Sequence, residues 1–143
     1  MASHLFAENI LTPEGWRANA RLAIEGGRIA SLAFDQTPEP GDEHHGIIVP
    51  AVANVHSHAF QRAMAGLAER RGPASDNFWS WREVMYRFTF AIEPEEAEAI
   101  AAQLYMEMLE AGFARVGEFH YLHNDKDGSP YGNIGEMAER IAA

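Results

Sequence analysis

The sequence predicts an α/β chain in which strands come first and helices then alternate with strands. Three features carry that expectation. Within the first 50 residues, apolar and polar side chains alternate around turn residues, the pattern of half-buried strands. Two short, mostly apolar segments, Val52 to His58 and Ala114 to Phe119, bracket stretches of helical composition. Finally, Pro94 to Ala111 has the 3.6-residue apolar period of a helix packed on one side. Strand and helix alternating in this way suit a parallel sheet, or a barrel with helices outside.

Taken in order, Leu22 and Ile24 alternate with polar neighbours, Gly26-Gly27 interrupts, and Ile29, Leu32 and Phe34 follow. A Gly-Gly pair between two such runs supplies the positive φ angles of a tight hairpin turn. Asp35 to Gly46, with two prolines, two glycines and several acids, reads as a solvated loop, and Ile47-Ile48-Val49 is stopped by Pro50. Val52 to His58 reads as a buried strand, and Phe60 to Arg70 and Trp79 to Phe90 as helices. In the segment from Pro94, the proline occupies the first turn, Glu95 and Glu96 complement the helix dipole, and Gly112 stops the helix. Ala97, Ile100, Ala101, Leu104, Tyr105, Met108 and Ala111 form its apolar face. Ala114 to Phe119 is then a strand, Asn124 to Gly132 a turn-rich loop, and Asn133 the start of a last helix. The expected division is a β segment over residues 1–50 and a strand-helix segment over 51–143. About two βα units are present, whereas a closed eight-stranded barrel takes about 250 residues. The chain therefore reads as an incomplete one.

The 143 residues hold 21 acidic and 11 basic side chains, a formal charge of −10 at pH 7. That balance excludes a phosphate-backbone partner, which needs clustered Lys and Arg; the nearest approach, Arg70-Arg71, is a single pair. Hydrophobic residues make up 47% of the chain, enough to fold. Cysteine is absent, so thiolate metal sites and disulfides are excluded, which suits a reducing compartment. The longest apolar run, Ile47 to Val55, is far short of the roughly 20 residues that span a bilayer. The N-terminus lacks a basic flank followed by an apolar core. The expectation is a cytoplasmic chain with neither nucleic acid nor membrane as partner.

The segment that carries chemistry is Asn54-Val55-His56-Ser57-His58. On a strand, side chains at i and i+2 share a face, so His56 and His58 project together. Two imidazoles held that way can bind one zinc ion. A strand end is also where barrel enzymes keep their chemistry. The competing reading is a pair of surface histidines near a strand end.

In this context the chain resembles the amidohydrolase superfamily, whose members join a small β-sandwich to a metal-bearing barrel with His-x-His at the end of its first strand. Val49-Pro50-Ala51-Val52-Ala53-Asn54-Val55-His56-Ser57-His58 follows that pattern, with Ala51 where the superfamily usually has glycine. Within the superfamily, His58 to Gly66, Phe78-Trp79-Ser80-Trp81-Arg82-Glu83 and Glu118-Phe119-His120-Tyr121 resemble the formimidoylglutamate deiminase family, over nearly all the chain but only the first third of such an enzyme. The resemblance implies the N-terminal portion of a metal-dependent (β/α)8 TIM-type barrel preceded by strands of a small β-sandwich. It implies zinc-dependent hydrolysis of the formimino C=N bond of N-formimino-L-glutamate, giving N-formyl-L-glutamate and ammonia in histidine degradation. His56 and His58 would be metal ligands, and Gln61, Arg82 and Tyr121 would contact the small-molecule substrate. The complete enzyme would be a homodimer. No catalytic acid or base is expected within these residues, because the family supplies them from later strands.

Those roles suit the chemistry. The substrate carries two carboxylates, and Arg82 offers a planar, permanently charged fork to one of them. Tyr121 and Gln61 donate neutral hydrogen bonds that fix orientation. Individually, each has a plainer reading: a surface ion pair for Arg82, an exposed helix position for Gln61, a half-buried aromatic for Tyr121. Trp79 and Trp81 read as packing, His44-His45 as solvated, His120 as able to face the site, and Met85, Met106 and Met108 as core. Two other functions remain open at this level: an amidohydrolase deaminase acting on a nucleobase or guanidine-like substrate, and a non-catalytic, truncated metal-binding chain.

Overall fold

The computed structural model describes residues 3–68 and 77–143. The fold is mixed α/β, and the chain divides into two compact units, Met1–Ala51 and Val52–Ala143.

The first unit is a four-stranded sheet of β1 (Ser3–Thr12), β2 (Gly15–Glu25), β3 (Arg28–Ala33) and β4 (Glu43–Ile48), in the order β3-β2-β1-β4. β1–β2 and β2–β3 are antiparallel, whereas β4 runs parallel to β1. Gly26 and Gly27 join β2 to β3 at φ +56° and +74°, the paired positive angles that the Gly-Gly turn predicts. Ala7, Ile10, Ala20 and Leu22 form a small core on one face, with Leu5, Phe34 and Ile48 against it.

The loop expected over Asp35 to Gly46 ends at Asp42; the next residues extend along β1, pairing Phe6 with His44 and Ala7 with His45. Pairing with a strand some 40 residues away decides this segment, and its Pro, Gly and acidic composition cannot register such a partner. Asp42 is no solvated acid either. Its side chain is 1% exposed and accepts from Arg21 Nε and Nη2, each at 2.9 Å, and from the Glu39 amide at 2.8 Å. The Arg21 guanidinium, first, and that amide hold its pKa at about 2.

The second unit is built on two parallel strands, β5 (Val52–Ser57) and β6 (Phe113–Glu118). Between them come a 3₁₀ turn (Ala59–Met64), α1 (Phe78–Thr89) and α2 (Pro94–Glu110), and α3 (Glu136–Ala142) follows. Asn77 caps α1: its side-chain oxygen accepts from the Trp79 and Ser80 amides at 2.8 and 3.3 Å. Pro94 opens α2, the Glu96 carboxylate accepts the Glu93 amide at 2.9 Å, and Gly112 at φ +88° ends the helix. Ala97 and Ala101 on the expected apolar face are buried, joining Phe60, Met64, Met85, Ile92, Leu122, Met137 and Ile141 in one core. Met85 is core, but Met106 is exposed and Met108 half-buried.

Of the helix expected over Phe60 to Arg70, the described residues form only a short 3₁₀ helix, Ala59–Met64. It closes at Ala65, whose ψ of 129° is extended, and Gly66 follows at φ +80°. Residues 69–70 of that expected helix, and the Arg70-Arg71 pair, lie outside the described residues. The turn is held to α2 by Arg62, whose Nε and Nη2 each donate to Glu107 at 2.8 Å. The last helix starts at Glu136, three residues later than expected, because Asn133 turns its side chain to accept the Gly135 amide at 2.9 Å. Arg140 then ties α3 to α2 through Glu95 and Glu98. Among the described residues, no helix is long and apolar enough to cross a membrane.

Candidate metal centre

β5 carries His56 near its C-terminal end, and His58 immediately follows the strand. Their Nε2 atoms lie 3.1 Å apart. Two nitrogens at 2.0–2.1 Å from one tetrahedral zinc would be separated by about 3.3 to 3.4 Å. The pair therefore stands within a few tenths of an ångström of a shared-ion geometry.

The second nitrogen of His58 sets its tautomer. Nδ1 lies 2.6 Å from the Phe119 carbonyl oxygen, which can only accept, so Nδ1 carries the proton and donates. That leaves the Nε2 lone pair of His58 available to a cation, the usual arrangement for a ligating imidazole. In the structure this lone pair is approached by the Tyr121 hydroxyl at 3.3 Å and by His56 Nε2. An ion would replace both contacts and would require His56 to hold its proton on Nδ1.

Of the substrate residues expected from sequence, Tyr121 comes to the histidines, with its ring centroid 5.2 Å from that of His58. Gln61, in the 3₁₀ turn, directs its amide at the Met85 sulfur at 3.9 Å. Arg82, on α1, donates to the Tyr86 hydroxyl at 2.8 Å and lies over the Trp79 and Tyr86 rings. Among the described residues it has no carboxylate partner, so its charge is not spent on a surface ion pair. No hydrogen bond joins Gln61 or Arg82 to the histidines; the packing of Gln61 on Met85 instead links the turn to the helix that carries Arg82. Trp79 is 63% exposed and stands against Arg82 rather than in a core.

Several contributors escape a reading of the sequence. Asn54 accepts the His56 amide at 3.1 Å, and Glu118 accepts the Ala59 amide at 2.7 Å and the Tyr105 hydroxyl at 3.1 Å. Burial, then the nearby Glu118, raises the Tyr105 phenol pKa. The Asn54 contact is local to β5, whereas those of Glu118 join β6 to the 3₁₀ segment and to α2, residues that no sequence spacing brings together. His120 is half-buried, its Nδ1 has no partner among the described residues, and burial lowers its pKa, with His123 adding to the effect. His45 contacts Glu43 at 3.1 Å on β4. Among the described residues, no group of three or more His, Asp or Glu side chains is arranged to hold a metal.

The chain is similar to known proteins over nearly all of its length. Residues 2–46 match the family model described as formimidoylglutamate deiminase HutF, N-terminal domain. Over 141 residues the chain is 48% identical to a formimidoylglutamate deiminase of Pseudomonas aeruginosa, covering 98% of this chain and 31% of that protein. The chain is similar to the N-terminal third of a formimidoylglutamate deiminase. A crystal structure of an amidohydrolase from Brucella melitensis superposes with a TM-score of 0.91 at 56% identity, covering 98% of this chain and 31% of that one. At 18% identity, where the likeness concerns the fold, an atrazine chlorohydrolase mutant from Arthrobacter aurescens, complexed with zinc and atraton, reaches a TM-score of 0.70 over 96% of this chain and 33% of its own. Guanine deaminase from C. acetobutylicum reaches 0.62 over 88% and 32%. The deiminase-like chain thus spans about a third of the length of the relatives it matches.

Proposed function

We propose that this chain provides the metal-binding strand end and part of the substrate pocket of a hydrolase acting on N-formimino-L-glutamate, releasing N-formyl-L-glutamate and ammonia. In this reading residues 1–50 are strands of a small β-sandwich. Residues 51–143 are the opening strands and helices of an amidohydrolase barrel, with β5 and β6 as adjacent parallel staves. The observation that carries the reading is the pair of imidazole nitrogens 3.1 Å apart, one held in its metal-ready tautomer by the Phe119 carbonyl. The 48% identity to a formimidoylglutamate deiminase supports the choice of substrate.

The donor set fits zinc, which His56 and His58 would hold. When bound, zinc supplies Lewis acidity that makes water nucleophilic near neutral pH. The chain's own residues bind and orient. Arg82, free of any acidic partner among the described residues, captures one carboxylate of the dicarboxylate substrate with its guanidinium fork. Tyr121, whose hydroxyl reaches His58, and Gln61 donate neutral hydrogen bonds that set the formimino carbon in place. Water adds to that carbon, the C–N bond to the terminal nitrogen breaks, and ammonia leaves with a proton from a general acid. The acid, the base and the remaining ligands lie outside these 143 residues, since catalytic zinc sites use three protein ligands. The complete enzyme is a cytoplasmic homodimer in this reading.

The test is ammonia release from N-formimino-L-glutamate by the protein of full family length that contains this chain. Arg82→Ala should lower kcat/KM on that substrate by roughly 10- to 100-fold, the range for losing a hydrogen bond to a charged group. Unchanged kcat/KM, or faster turnover of a nucleobase such as guanine, would overturn the assignment.

A further inference from the structure

We infer that Glu118 is a positioning residue for His58, acting with Tyr105 to hold the imidazole in its ligating orientation. The inference rests on the reading of His56 and His58 as metal ligands and adds a residue to it. Three consecutive residues around His58 are bonded to two consecutive residues at the end of β6. The Phe119 amide donates to the Ser57 carbonyl at 2.9 Å, His58 Nδ1 to the Phe119 carbonyl at 2.6 Å, and the Ala59 amide to Glu118 Oε1 at 2.7 Å. The first bond continues the strand pairing, and the second sets the tautomer. Of the three, only the third draws on a side chain of β6.

Ala59 is fully buried, so without Glu118 its amide would have no water to turn to, and the backbone would rotate to find another acceptor. That rotation would begin one peptide from His58 and would pull Nδ1 away from the Phe119 carbonyl. Glu118 is itself held in place, because its second oxygen accepts from the half-buried Tyr105 of α2. Two hydrogen bonds sharing the Glu118 carboxylate thus link α2 through β6 to the residue after His58. Glu118 touches neither ion nor substrate; it acts through the backbone.

The test uses the ¹⁵N-labelled chain free of metal, with long-range ¹H–¹⁵N spectra reporting the His58 tautomer, followed by zinc titration. Wild type should show the Nδ1–H form. Glu118→Ala should mix the two tautomers and weaken zinc binding about tenfold or more, with helical signal unchanged. Glu118→Gln should restore both properties, since its amide oxygen accepts from Ala59 and its NH₂ group donates to the Tyr105 oxygen. A wild-type tautomer and zinc affinity in Glu118→Ala would overturn the inference, as would a Glu118→Gln variant as defective as alanine. Should Glu118→Ala fail to fold, Tyr105→Phe decides: mixed tautomers support the role, and an unchanged spectrum overturns it. If wild type binds no zinc, the metal reading fails, while the tautomer response still judges Glu118 separately.

Discussion

His56 and His58, the two ligands of the proposed site, are held unequally. His58 is oriented on both sides, by the Phe119 carbonyl at Nδ1 and by the Tyr121 hydroxyl near Nε2, whereas His56 is exposed and positioned mainly through its backbone by Asn54. Removing either imidazole leaves a single ligand, so His56→Ala and His58→Ala should each abolish zinc binding at micromolar metal, read by isothermal titration. Tyr121→Phe should behave in the opposite way. Its hydroxyl occupies the lone pair that an ion would take, so deleting it should leave zinc affinity equal or higher while raising KM for substrate in the complete enzyme. Weakened zinc binding in Tyr121→Phe would show that the hydroxyl supports the ion rather than competing with it.

At the scale of elements, side-chain hydrogen bonds set where segments begin and how they join. The Asn77 cap satisfies two amides at the start of α1, the helix that carries Arg82. Asn77→Ala should therefore cost about 1 kcal/mol, seen as a lower midpoint in denaturant unfolding. Two ion pairs make the elements acid-sensitive. Arg21 holds Asp42 at a pKa of about 2 in the first unit, and Arg62, then Gln103, holds Glu107 at about 2 in the second. Both values lie below the ordinary carboxylate range. Their contribution is thus present above the unfolded pKa of about 4 and is lost as pH falls through it towards 2. The thermal midpoint should drop over that window, and Asp42→Asn should flatten the drop. An unchanged acid profile in Asp42→Asn would show that this pair does not govern it. The pattern of apolar residues made β2, β3, α2 and the Gly-Gly turn legible from the residues, because each depends on neighbours a few positions away. β4 and the 3₁₀ turn were not, because a partner strand and a ring of core contacts decide them.

For the molecule as a whole, the expected outcome is an incomplete active site. In the proposed reading two imidazoles, Tyr121, Gln61 and Arg82 would bind and orient, and the groups that move protons would come from outside this chain. The 143-residue chain should release no ammonia from N-formimino-L-glutamate, with or without zinc. Sustained zinc-dependent release that disappears in His56→Ala would overturn this. The second unit also presents large apolar side chains: Val55 is 85% exposed and Ile134 90%. Two parallel strands do not cover their own faces.

The meeting of the two imidazoles was legible in the sequence, and for a physical reason. A strand alternates faces every residue, so His-x-His alone places two imidazoles together before any contact is known. The substrate with two carboxylates was implied only by the resemblance of three short, contiguous segments to the formimidoylglutamate deiminase family. What holds those groups in working order is contributed by distant residues. The tautomer of His58 depends on a carbonyl 61 positions away, and the amide beside it on a carboxylate 59 positions away. Packing sets Arg82 against aromatic rings and a hydroxyl, with no acid paired to it among the described residues. Local pattern sets which groups the chain can offer; strand register and packing, which join residues remote in sequence, set how those groups are oriented and protonated.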